Sequence, residues 1–102
     1  MTVTILVAGT WDTKDAELGY MRDVILAQGG TVLTMDVSVL GDPSAPTDIS
    51  KHQVAEAAGS SIAAAIAAED ENTAMQIMAT GAAKLAAGLH AEGRIQGLIV
   101  LG

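Results

Sequence analysis

The sequence predicts an α/β fold of three layers, a parallel sheet with strands in the order two, one, three and helices on both faces. The first observation is a set of three short apolar runs, Val3 to Ala8, Thr31 to Val37 and Gly97 to Leu101. They are rich in β-branched residues, as befits strands buried on both faces of a parallel sheet. The second is that the stretches between them carry apolar residues at helical spacing, so helical crossovers join the strands and make them parallel. The third is that the chain stops directly after the third run. The sheet is therefore expected to be incomplete on its C-terminal side, with residues 1–102 forming the first part of a domain truncated after the third strand.

Each element follows from local chemistry. After the first strand, the turn Gly9-Thr10-Trp11-Asp12 leads to Thr13, whose hydroxyl is placed to cap a helix. That helix has Asp15 and Glu17 in its first turn and Leu18, Met21 and Ile25 on one face, and Gly29-Gly30 stops it. Beyond the second strand, Ser38 to Ile49 contains Gly41, Asp42-Pro43 and Pro46, which break regular structure and predict a long ligand-side loop. Ser50 and Gln53 have capping-box spacing, which predicts a short helix over Lys51 to Ala58 before Gly59. Ser60 or Ser61 caps another helix that ends near Ala68. From Asn72 to Glu92, the residues Met75, Met78, Ala82, Leu85 and Leu89 define one apolar helical face, and Gly93 closes it. Gly81 and Gly88 inside that helix each cost about 1 kcal/mol relative to Ala, which predicts close packing against the sheet at both positions.

Composition narrows the function. A chain of 102 residues holds one core. Half of it is apolar, but nineteen of those residues are Ala and the aromatics are Trp11 and Tyr20, so the core is thin and its elements lie close. The formal charge of −7, from 12 acidic against 5 basic residues, opposes attraction to nucleic-acid phosphates, and no nucleic-acid partner is expected. The absence of Cys excludes disulfides and thiolate metal sites and fits a reducing compartment. The N-terminus lacks the basic start and cleavage site of a secretory signal, and the longest apolar run, Ile62 to Ala68, is too short to cross a bilayer. No membrane partner and a cytoplasmic location are expected.

In open α/β sheets, ligands gather beyond the carboxyl ends of the strands. This singles out the segments after Ala8, Asp36 and Leu101. In the first, the amides of Gly9 and Thr10 and those opening the next helix are placed to meet an anion, with a hydroxyl from Thr13 and a charge from Lys14. A helix cap beside an exposed lysine accounts for the same residues equally well. Asp12 would repel phosphate, so its functional reading is an acceptor for a sugar hydroxyl or a holder of a divalent ion, and its plain reading a turn-forming Asp. Asp36 closes the second strand where nucleotide-binding folds present an acid to ribose. Trp11 either stacks on a base or, the preferred reading, anchors its loop. His52 and His90 have no neighbouring ligand set, Glu69-Asp70-Glu71 reads as a solvated helix junction, and no metal site is expected. Neither GxGxxG nor GxxxxGK[ST] is present, Ser60-Ser61 lacks the nucleophile-elbow context, and no catalytic residue is named.

One set of words runs through the whole chain: Gly9-Thr10-Trp11-Asp12-Thr13-Lys14, Glu17-Leu18, Arg22-Asp23, Asp36-Val37, Asp48-Ile49-Ser50, Gly81-Ala82-Ala83 and Glu92-Gly93-Arg94-Ile95-Gln96-Gly97. It resembles the ATP-binding domain family named after the tomato mosaic virus resistance protein. The resemblance implies a Rossmann-like N-terminal domain followed by a second α/β domain, with ATP or a related nucleotide as ligand. It carries ligand contacts most directly onto Gly9, Thr10, Asp12, Thr13 and Lys14, while Trp11 stands where the family commonly has an aliphatic residue. Of the family's glycine- and serine-rich turn after the third strand, Gly102 alone is present.

The expected nucleotide-binding residues are therefore Gly9, Thr10, Asp12, Thr13, Lys14, Asp36 and Gly102, with ATP as cofactor and magnesium as its companion. The other reading is a non-catalytic interaction or oligomerisation module, and whether the protein is an enzyme is left open. The 102-residue stretch alone is expected to bind nucleotide weakly and to form a homo-oligomer through the uncharged edge Leu98-Ile99-Val100-Leu101.

Overall fold

A computed structural model describes residues 3–101. The three apolar runs form β1 (Thr4–Gly9), β2 (Thr31–Asp36) and β3 (Gly97–Leu101), all parallel and in the order β2-β1-β3. The α/β class and the strand order are those read from the sequence. The register sets Leu6 between Leu33 and Leu98, so the central strand is apolar on both sides. Alternation along β1 divides the core, because successive side chains leave a strand on opposite faces. Leu6 and Ala8 join Met35 on one face, and Ile5 and Val7 join Val32 and Leu101 on the other.

The second face is covered by α1 (Asp15–Ala27), whose fully buried Leu18 packs with Val7 and Trp11. On the first lie α2 (Lys51–Ala57), α3 (Ile62–Ala67) and α4 (Glu71–Ala91), which contribute Val54, Ala55, Ile62, Met78 and Leu89 to the larger cluster. The capping box forms as the spacing requires: Gln53 N donates to Ser50 Oγ at 3.2 Å, and Ser50 N donates to Gln53 Oε1 at 2.8 Å. Ser61 is the residue that caps α3, accepting from Ala64 N at 3.0 Å.

Three local expectations are corrected. Thr13 does not cap α1; Lys14 occupies that position without a side-chain bond. The reason is an extra turn, closed by Thr13 N and Lys14 N donating to Thr10 O at 3.1 and 2.8 Å, which leaves the Thr13 hydroxyl to Thr10 Oγ1. The start of α4 falls at Glu71, one residue before the expected Asn72, because Asp70 accepts from Asn72 N and Thr73 Oγ1. Gly81 does lie at a close approach, but to α2 rather than to the sheet: a Cβ there would stand 1.8 Å from Val54 O. Around Gly88 a Cβ would meet nothing within 4 Å, so no packing accounts for that glycine.

The two edges of the sheet differ. The returning loop covers the carboxyl-terminal half of β2, with Ile49 N donating to Thr34 O at 2.9 Å and Asp36 N to Ile49 O at 3.0 Å. Among the described residues, β3 has no strand on its outer side. Among the same residues, no helix is long and apolar enough to cross a membrane.

Candidate functional site

The carboxyl ends of β1 and β2 are joined through one buried acid. Asp36, 2% exposed, accepts on Oδ1 from Trp11 N at 3.3 Å, Ser38 N at 3.0 Å and Ser38 Oγ at 2.5 Å. A buried carboxylate is tolerated only with such donors, and here they tie the loop after β1 to the loop after β2. A second tie comes from Lys51, a buried lysine at the start of α2. Its Nζ donates to Gly41 O at 2.8 Å and Val39 O at 3.3 Å and pairs with Asp42 Oδ1 at 3.0 Å. A cation at a helix N-terminus opposes the helix dipole, and these acceptors offset that. The tie lays Gly41 over Asp12, where a Cβ would stand 2.7 Å from Asp12 Oδ2. Only glycine lets the loop come that close.

Between these loops and the α3–α4 junction lies a cleft of about 610 Å³, within the range for small-molecule sites. Its polar lining includes four carboxylates, those of Asp12, Glu69, Asp70 and Glu71, and no Lys, Arg or His. Asp12 Oδ1 is buried and has no hydrogen-bond partner among the described residues. At the rim, Glu69 adopts φ of 52°, which makes it the single non-glycine residue with positive φ among those described. For an L residue that conformation is disfavoured by roughly 1–2 kcal/mol. Glu69→Gly is accordingly expected to raise stability by about 0.5–1 kcal/mol in urea denaturation, after allowing for the greater freedom of an unfolded glycine. A loss of stability would show that the Glu69 side chain itself holds the junction.

The structure brings three of the expected site residues together in the cleft, namely Thr10, Asp12 and Thr13. Gly9 and Asp36 lie behind them in the core, and Lys14 is exposed and outside the lining. Gly9 admits the closing of the sheet, since a Cβ there would stand 2.1 Å from Leu101 O. Gly102 lies outside the described residues. Of the amides expected to cradle an anion, that of Thr10 donates to Leu101 O, and in the turn that follows Trp11 N donates to Gly9 O and Thr13 N and Lys14 N to Thr10 O. Those of Asp15, Ala16 and Glu17, which open α1, have no side-chain cap and lie outside the cleft lining. Trp11, 5% exposed, packs in the core beneath α1 as a loop anchor and takes no part in lining the cleft.

Sequence reasoning missed Ser38 and Lys51. For Ser38 the signal was its position two residues after Asp36, the spacing of a local carboxylate turn. For Lys51 there was none, because a lysine opening a helix ordinarily reaches into solvent. Among the described residues, no three His, Cys, Asp or Glu side chains converge as a metal-binding set.

Residues 3–102 match the family profile described as the N-terminal domain of the uncharacterised protein family UPF0261. A UPF0261 protein of Brucella suis biovar 1 is 50% identical over 98 residues, which is 96% of this chain and 23% of that protein. A UPF0261 protein of Clostridium tetani is 36% identical over 102 residues, 100% of this chain and 25% of that protein. The chain thus spans about a quarter of the length of these curated relatives. No solved structure matches it at a significant level.

These matches correct the resemblance to the tomato mosaic virus resistance family, since both the profile and the relatives' names are those of UPF0261. Several of the words that carried the resemblance fall at turns, strand ends and helix starts, where the fold itself demands glycines and capping residues. The chain belongs to the uncharacterised protein family UPF0261, within its N-terminal domain.

Proposed function

We propose that the full-length protein binds a nucleotide in this cleft, with Asp12 accepting hydrogen bonds from the sugar hydroxyls. The observation that supports the reading is Asp12, which lines a cleft beyond the carboxyl ends of β1 and β2 and whose Oδ1 has no partner among the described residues. An ionised carboxylate is an acceptor only, so a ligand that satisfies it must bring a donor. Val37, Met75 and Met78 offer an apolar wall for a flat ring. The four carboxylates oppose a bare polyphosphate, each contributing about 1 kcal/mol at 4 Å in water and more where solvent is excluded. The amides of Thr10 and Thr13, which line the cleft, are already engaged and those opening α1 lie outside the lining, so the phosphates point out of the cleft and are carried as the magnesium complex toward the remainder of the protein. ATP with magnesium is therefore the ligand to test. The reading is one of binding, and no residue is assigned a catalytic role.

Calorimetry on the full-length protein is expected to show binding of adenosine as well as of ATP, with ATP tighter when magnesium is present. Asp12→Ala should weaken each by roughly 10- to 100-fold, the loss that follows from removing a hydrogen bond to a charged acceptor. Absence of heat with adenosine and with ATP, with or without magnesium, or an Asp12→Ala protein that binds as before, would overturn the reading. A second reading, an interaction or homo-oligomerisation module, draws on Leu98 and Val100, which are 50% and 66% exposed. Full-length protein that assembles but binds no nucleotide would favour it.

A further inference from the structure

Beside the first cleft lies a second cavity, of about 400 Å³, between the flank of α4 and the sheet. Its lining is almost wholly apolar and carries no charged residue. Leu98 and Val100 of β3 form its floor toward the free edge, although they point to a face that the fold otherwise buries. Its wall is a run of small residues on α4, Ala79, Ala83 and Ala86, at the four- and three-residue spacing that places side chains in one row.

We propose that in the full-length protein this groove is filled by an amphipathic helix from the part of the chain that follows this segment, packed alongside α4. The chain matches an N-terminal domain and spans about a quarter of its relatives, so a long remainder is available to supply it. Handedness says where such a helix lands. The step from β1 to β2 puts α1 on one face, and the opposite step, from β2 past β1 to β3, puts α4 on the other. Ile49 bridges the carboxyl-terminal half of the β2 edge, so on this proposal the sheet extends beyond β3, in the same direction as that second step. A right-handed crossover from β3 then returns on the α4 face, over Leu98 and Val100. The chemistry agrees. Alanines on α4 permit helix axes to approach to about 8 Å, and the incoming face must bring large aliphatic side chains to fill the groove.

The test uses full-length protein carrying a single reporter thiol at Ala79→Cys or Ala83→Cys, with Lys84→Cys, exposed on the same helix, as reference. Any cysteines in the remainder of the chain are replaced by serine. Modification by a charged maleimide is expected to be at least about 100-fold slower at Ala79→Cys and Ala83→Cys than at Lys84→Cys, at every protein concentration, because it waits on local opening. Equal rates at the three positions would overturn the proposal. So would protection that disappears on dilution, which would mark a second copy as the occupant. Hydroxyl-radical footprinting of the unsubstituted full-length protein gives the same answer without a variant that could fail to fold. Leu98 and Val100 should be protected at all concentrations, and oxidation at the rate of exposed Leu40 would reject the helix.

Discussion

Gly81→Ala is expected to destabilise the protein by about 3 kcal/mol, whereas Gly88→Ala, on the same helix, stabilises it by about 1 kcal/mol. The two substitutions are chemically identical and differ only in what the new methyl meets. At Gly81 it would stand 1.8 Å from the carbonyl oxygen and 2.8 Å from the carbonyl carbon of Val54, backbone atoms that no side-chain rotation can move aside. Either α2 or α4 must shift, and with them Val54 and Met78, which are both buried in the larger core cluster. At Gly88 no heavy atom lies within 4 Å, so the gain in helix propensity is realised in full. Urea denaturation of both variants checks the prediction. Equal effects of the two, in either direction, would show that α2 and α4 do not meet at Gly81.

The second large effect is expected at Asp36. Asp36→Ala removes the acceptor shared by Trp11 N, Ser38 N and Ser38 Oγ in a site that is 2% exposed; Trp11 N keeps its bond to Gly9 O, and the two Ser38 donors lose their short ones. Buried donors without partners cost about 1–3 kcal/mol each, and for the two of Ser38, with part of that recovered by relaxation, a total loss of about 3 kcal/mol is expected. Asp36→Asn keeps an oxygen in the same place and should lose about half as much. Because the acid joins the two loops that flank Asp12, Asp36→Ala should also weaken any ligand that depends on Asp12. A stable Asp36→Ala protein would mean that the loops are held by other contacts.

The strands were legible because buried parallel strands need little beyond their own composition, and Ile5-Leu6-Val7 or Leu98-Ile99-Val100 admit few alternatives. The α2 cap was equally legible, since both partners of the Ser50 and Gln53 exchange lie within one turn. What could not be read is whatever depends on pairs distant in the chain. Lys51 reaches back to Val39 and Gly41 only because the intervening Pro- and Gly-bearing loop doubles over, and nothing at Lys51 itself announces this. The glycine at 81 was rightly seen as a packing position, but its neighbour is chosen by tertiary placement, and that neighbour is α2. Thr13 was misplaced as a cap because a local turn to Thr10 O competes with helix initiation, and hydroxyl chemistry alone does not rank the two. For the cleft, the segments that line it were foreseen, whereas the engagement of their amides and the solitary oxygen of Asp12 belong to three-dimensional geometry.

The ties made by Asp36 and Lys51 also have an entropic meaning. Ordering one residue of a flexible loop costs about 1–2 kcal/mol at room temperature, and a stretch with the glycine and prolines of residues 41–46 would ordinarily lose that freedom as a ligand arrives. Here the buried acid and the buried lysine restrain the flanking segments during folding itself, at Trp11, Ser38, Val39 and Gly41. A molecule entering the cleft meets walls that are already set, so more of its contact energy is retained as affinity.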